Sequence, residues 1–289
     1  MTFTKNDVRY ARTGSWLASL YERISFDQPV RTSSLLQILV GSWICKSDVY
    51  MLAKQTQYYL DKQYRNNDLD FITCDPALSL VSLSIMRSLD VECRAIESFA
   101  YELADTLEHH VDNNPAETLD LFLSRTLLYN LGVYPEPDPP SIDSFTIPNG
   151  LNLFQMSDNI IKSLAVRIGA ATIYGQRKLN KEMEELSIAV PVWMLHAFKR
   201  YNIEVGTLLL RTMKYLNIQN NRSFETGLYF VLAQQHPDGH FGYFAQEASK
   251  IQSSHPDFDE LHDLYLPITL SCLWTIVEAN SSFCLFKKI

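Results

Sequence analysis

Apolar residues in this chain recur at intervals of three and four, and strand-like alternation bounded by turn residues is hard to find anywhere. That period collects the apolar side chains on one face of a helix, and such a face is stable only when another element covers it. The chain is therefore expected to be all-α. The pattern predicts helices at 7–23, 32–46, 48–65, 76–89, 91–110, 115–131, 153–174, 182–200, 202–216, 222–235 and 263–279. Asp75 before Pro76, Asn114 before Pro115 and Ser47 before Asp48 offer capping side chains, and Glu117 completes a capping-box pattern with Asn114. Gly132, Gly150 and Gly175 mark chain reversals.

The predicted helices pair, with pairs beginning near residues 7, 48, 91, 153 and 203, which describes an array of helical hairpins. The one long interval holds Pro135, Pro137, Pro139, Pro140 and Pro148, so residues 134–150 read as a semi-rigid strap. Either this strap joins two parts of a single domain over 1–289, or it marks a domain boundary. The single array is preferred, because each half alone would leave apolar helix faces uncovered. A hydrophobic content of 46% is enough for a continuous core in either case.

The formal charge of -8 and the lack of a basic stripe argue against nucleic acid and anionic membrane as partners. The longest apolar run, 264–277, is too short to cross a bilayer, and residues 1–14 do not read as a secretory signal. Cys45, Cys74, Cys93, Cys272 and Cys284 are odd in number and scattered, which fits a reducing, cytoplasmic setting. Cys45 and Cys272 lie in apolar runs and read as buried small hydrophobes.

Chemistry is concentrated near the carboxy-terminus. The segment Gln235-His236-Pro237-Asp238-Gly239-His240-Phe241-Gly242-Tyr243-Phe244 is a glycine-bearing aromatic turn between two apolar helices. Gly239 and Gly242 allow positive φ or close backbone approach, Asp238 can hydrogen-bond the turn, and Phe241 and Phe244 can fill the space between helix pairs. With the later stretch Asp263-Leu264-Tyr265-Leu266-Pro267-Ile268-Thr269-Leu270, it resembles the repeats of class II terpene (squalene) cyclases and protein prenyltransferase β-subunits. The resemblance covers about forty residues and implies an α/α toroid, or an incomplete (α/α) barrel. It also implies a biosynthetic enzyme acting on an isoprenoid-like or peptide-like substrate. Leu266 stands where the prenyltransferases carry a zinc-binding His, so no metal site is carried over. The cyclases' DxDD acid has only partial counterparts in Asp257-Phe258-Asp259-Glu260 and Asp68-Leu69-Asp70-Phe71.

Four of the 7 histidines fall between His236 and Asp263. On an enzyme reading, Asp257, Asp259 and Asp263 are the candidate proton donors, with His240 and His262 as partners. On the competing reading, these groups are turn formers and helix caps facing water, since their spacing matches no metal-ligand pattern. Trp193, Tyr243 and Tyr265 are the candidate substrate-binding aromatics. Trp43, Tyr58, Tyr59, Tyr64 and Tyr129 share helical spacing with Trp193, which favours core packing over a cavity lining. His196 reads as a hydrogen-bonded core histidine, and His109-His110 as a helix C-terminal cap. No Walker loop, Rossmann fingerprint, G-x-S-x-G or H-E-x-x-H motif is present, and no cofactor is assigned. Two functions remain open. One is an enzyme with acid–base chemistry at one mouth of a helical toroid; the other is a non-catalytic accessory protein holding a hydrophobic small molecule or a peptide.

Overall fold

The periodic segments fold as helices in the structure, a computed structural model that describes residues 4–24, 32–65, 75–110, 119–136, 156–175, 178, 184–242 and 258–280. Eleven helices are named among them: Thr4–Glu22 (α1), Thr32–Ile44 (α2), Tyr50–Arg65 (α3), Pro76–Ser88 (α4), Arg94–His110 (α5) and Leu119–Asn130 (α6). Asp158–Ala171 (α7), Glu184–Lys199 (α8), Ile203–Tyr215 (α9), Arg222–Ala233 (α10) and Phe258–Asn280 (α11) follow. The fold is all-α, with no strand among the described residues. The main departure from expectation is α11, which begins at Phe258 rather than near 263, so Asp259 and His262 sit on its first turns instead of in a loop, and Asp263 lies inside the helix rather than at its start. Acidic residues suit that end of a helix, where the macrodipole is positive. The proline-rich strap beyond Glu136, the Asn114 cap and Gly150 lie outside the described residues.

Local chemistry explains where several helices start. Asp75 accepts from the Leu78 N–H at 3.0 Å, as the sequence implies. Asn202 does the same for Val205 at 3.2 Å and Asn221 for Ser223 at 2.8 Å. At α3 the cap is Asp48, accepting from Tyr50 N–H at 3.2 Å, and not Ser47. The start of α5 is held from outside: Asp61, buried on α3, accepts from the Ala95 N–H at 3.0 Å. A carboxylate reached across space thus satisfies an orphan donor that no neighbouring residue in sequence could mark.

The helix ends show why glycine alone is a poor guide to reversals. Lys46, Asp90, Tyr201 and Asn217 take positive φ, as do Gly132 and Gly175. At five of these six the next N–H bonds back to a carbonyl five residues earlier: Ser47 to Ser42, Val91 to Met86, Val133 to Leu128, Asn202 to Ala197 and Ile218 to Met213. This Schellman closure satisfies carbonyls that would otherwise be left bare, and it recovers the strain of a left-handed non-glycine residue.

Packing then sets the neighbours. α2 lies against α1, α3, α4 and α11; α4 against α5 and α6; α6 against α5 and α7; and α7 against α9. α9 is covered by α7, α8, α10 and α11. The two ends of the chain are thereby brought together, because α2 meets α11. Close approach of α8 and α9 depends on Gly206, where an added Cβ would run into the Phe198 ring. That ring stacks on Phe230 of α10 with centroids 4.6 Å apart, so one glycine lets three helices share an aromatic contact.

Candidate functional site

The carboxy-terminal turn is built as a clasp. Gln235 Nε2 donates to the Arg9 carbonyl and to Thr13 Oγ1, each at 3.0 Å, and Thr13 Oγ1 donates to the Gly239 carbonyl at 2.7 Å. Within the turn, Gly239 N–H bonds to His236 O at 3.0 Å and His236 N–H to His240 O at 2.8 Å. On the other side, Thr269 Oγ1 of α11 accepts from Phe241 N–H at 3.0 Å, and Phe241 is fully buried. The turn therefore ties α1 to α10 and α11. Gly239 has φ +112, and a Cβ there would land on the Arg12 carbonyl, so both positive φ and close approach demand glycine. Gly242 is needed for approach only, because a Cβ would enter the Tyr265 ring.

His240 and Tyr265 belong to this packing. The His240 ring lies parallel to that of His236, with centroids 4.2 Å apart, and tilts against Tyr265 at 4.6 Å and Trp16 at 5.6 Å. Stacked imidazoles present faces to each other, so their nitrogens do not converge on one ion. Among the described residues no cluster of three or more His, Cys, Asp or Glu side chains is placed to hold a metal. Asp238 hydrogen-bonds within the turn through a side chain, its Oδ1 pairing with His240 Nδ1 at 2.7 Å. Asp257 and Tyr243 lie outside the described residues, as do the side chains of Asp259, His262 and Asp263 on α11. Phe244 and the side chains of His109 and His110 are likewise outside.

Trp193 is brought to a different place. It is buried and lines a cleft of about 360 Å³ where α7, α8 and α9 meet. His196 is exposed on the same cleft, which corrects its reading as a core histidine: three residues after Trp193, it shares that face of α8, but at the open cleft rather than in the core. Asp158 and Arg200 form the rim, with Arg200 Nη2 donating to Asp158 Oδ1 at 2.7 Å and Asn202 Nδ2 to Oδ2 at 2.9 Å. The hydrogen bond from Arg200 holds the Asp158 carboxyl below the usual carboxylate range, so it stays ionised. The other aromatics divide: Tyr59 is buried, Trp43, Tyr64 and Tyr129 are half-buried, and Tyr58 is 71% exposed, against the expectation of core packing.

A third group was not singled out from the sequence. Glu278 of α11 is buried and its Oε2 accepts from Tyr215 OH at 2.8 Å, while Lys214 Nζ donates to its carbonyl. Arg211 lies 3.9 Å over the Trp274 ring and donates to Ser271 O and Thr275 Oγ1, each at 3.4 Å. The signal was present, since Arg211 and Lys214 interrupt one apolar helix and Glu278 closes another, but nothing in sequence says that the two helices meet. Burial raises the Glu278 carboxyl, against the pull of Arg211 and the hydrogen bond from Tyr215. The thiols behave as expected of buried groups: Cys45 is 9% exposed and its pKa is pushed up to about 12, and Cys272 is raised too.

No protein-family model, curated protein or solved structure matches this chain.

Two outcomes follow from this geometry. Gly239→Val is expected to destabilise the protein by about 1–3 kcal/mol in urea denaturation, and an unchanged midpoint would show that the clasp is an ordinary loop. For Glu278, the folded-state pKa lies above the unfolded value of about 4.3, so the folded state holds the proton more tightly. The carboxyl's favourable contribution is then full below the unfolded pKa and is lost as pH rises through the folded pKa. Glu278→Gln removes that titration. The variant should gain stability relative to wild type as pH rises above the unfolded pKa; a gap that narrows or reverses would mean that Arg211 and Lys214 outweigh burial.

Proposed function

We propose that this protein is a ligand-binding α/α toroid that holds a hydrophobic small molecule or a peptide-like ligand in the cleft over Trp193. The order of helix contacts supports the toroid: α2, α4, α6, α7, α9 and α11 are neighbours in turn, and α11 returns to α2. On this reading these six form an inner ring, with α1, α3, α5, α8 and α10 packed outside it in one domain. The short resemblance of 235–270 to toroid repeats points the same way.

The observation that carries the binding reading is the cleft itself. It sets the edge of Trp193 below a charged rim, and its accessible lining is more polar than apolar, so a few polar groups are available to fix the orientation of a ligand. Thermal shift with farnesol and with N-acetyl-L-phenylalaninamide tests it. One of the two classes should raise the melting temperature by mass action. Asn159→Trp, which adds bulk from an exposed position on the lining, should abolish the shift. Failure of both compounds and of free L-phenylalanine, or a shift that survives the substitution, would rule out the cleft.

The His240–Asp238 pair favours a second reading, a biosynthetic enzyme with acid–base chemistry at the clasp, where the carboxylate orients the imidazole as a proton acceptor. On that reading His240→Gln loses turnover of an isoprenoid-like or peptide-like substrate while the melting temperature is kept. A lowered melting temperature without a specific loss of turnover would assign His240 to packing alone.

A further inference from the structure

The rim of the Trp193 cleft restricts what the cleft can hold, because it carries opposite charges side by side. Arg200 spends a single hydrogen bond on Asp158 and keeps 48% of its side chain exposed, so the guanidinium has donors to spare. Asp158 accepts from Arg200 and Asn202 on different oxygens, and each oxygen has a second lone pair. A ligand bearing only negative charge would gain from Arg200 and be repelled by Asp158; a cation would meet the reverse. A molecule with an ammonium and a carboxylate on one carbon gains from both. Opening the existing ion pair costs little, since half-exposed pairs of this kind contribute weakly.

The interior adds a size and a polarity. Met156, Ile161, Trp193 and Val205 give the lining its apolar part, and about 360 Å³ lies at the small end of the roughly 300–1,000 Å³ range of ligand pockets. That volume suits one large side chain rather than a run of residues. His196, on the same lining, is a second hydrogen-bonding partner for a carboxylate. The geometry points to a free α-amino acid with a large apolar side chain as the ligand: its ammonium on Asp158, its carboxylate on Arg200, its side chain over Trp193. This narrows the binding reading given above and rests on it.

Calorimetric titration with L-phenylalanine, N-acetyl-L-phenylalanine, L-phenylalaninamide and N-acetyl-L-phenylalaninamide tests the inference. The zwitterion should bind tightest, each singly blocked compound about tenfold more weakly, and the doubly blocked one weakest. Asp158→Asn should remove the preference over the N-acetyl compound, and Arg200→Gln the preference over the amide. If either variant melts early, the rank order of the four compounds on the wild type decides alone. Equal binding of the doubly blocked compound and the zwitterion, blocked by Asn159→Trp, would overturn the amino-acid assignment and leave the cleft as a binding site. Absence of binding by all four would overturn the amino-acid assignment, and a farnesol shift would then show whether the cleft binds at all.

Discussion

The rest of the molecule depends on the hydrogen bonds that Gln235, Thr13 and Gly239 make across the two ends of the chain. Thr13 is fully buried, so its hydroxyl and the carbonyl it serves would be costly to leave unpaired. Residues 222 to 226 apart in sequence are joined here, and the loop-closure entropy of so long a separation rises only slowly with length. A few well-made bonds at one turn can therefore fix α1 against α10 and α11. The same turn places Phe241 in the core and aligns His240 against Tyr265. Its glycines are required by geometry, and its aromatics supply the contact area that the bonds alone do not.

Opposite charges are used in two ways in this fold. Between α9 and α11, Arg211, Lys214 and Glu278 are tied to backbone carbonyls, hydroxyls and an indole face, and Arg211 and Glu278 are almost wholly buried. Desolvation there is expensive and is offset only when the donors and acceptors find partners, so the seam fixes the register of two helices more than it adds stability. At the cleft, Asp158 and Arg200 stay half-exposed, where solvent screens them and exchange with a ligand is cheap. Burial separates a structural polar seam from a rim whose charges stay accessible.

The local chemistry of the chain determined its helices. The three-to-four spacing of apolar residues, Asp75 before Pro76 and Gly132 after α6 act within a few residues, and each sits in the structure where the sequence places it. The aromatic glycine turn was legible for the same reason, since Gly239 must reach a φ that other residues resist. Asp61 capping α5, Lys46 and Asp90 in left-handed turns, and His196 facing solvent were decided by tertiary structure, because each depends on what the fold brings alongside. So too with the cleft. Trp193 and Arg200 come from α8 and its C-terminal end but Asp158 from the start of α7, and only the packing of α7, α8 and α9 sets the aromatic ring beneath an ion pair. Sequence period reports which face of a helix is apolar; it carries no record of which face it will meet, and sites made between helices are fixed at that later step.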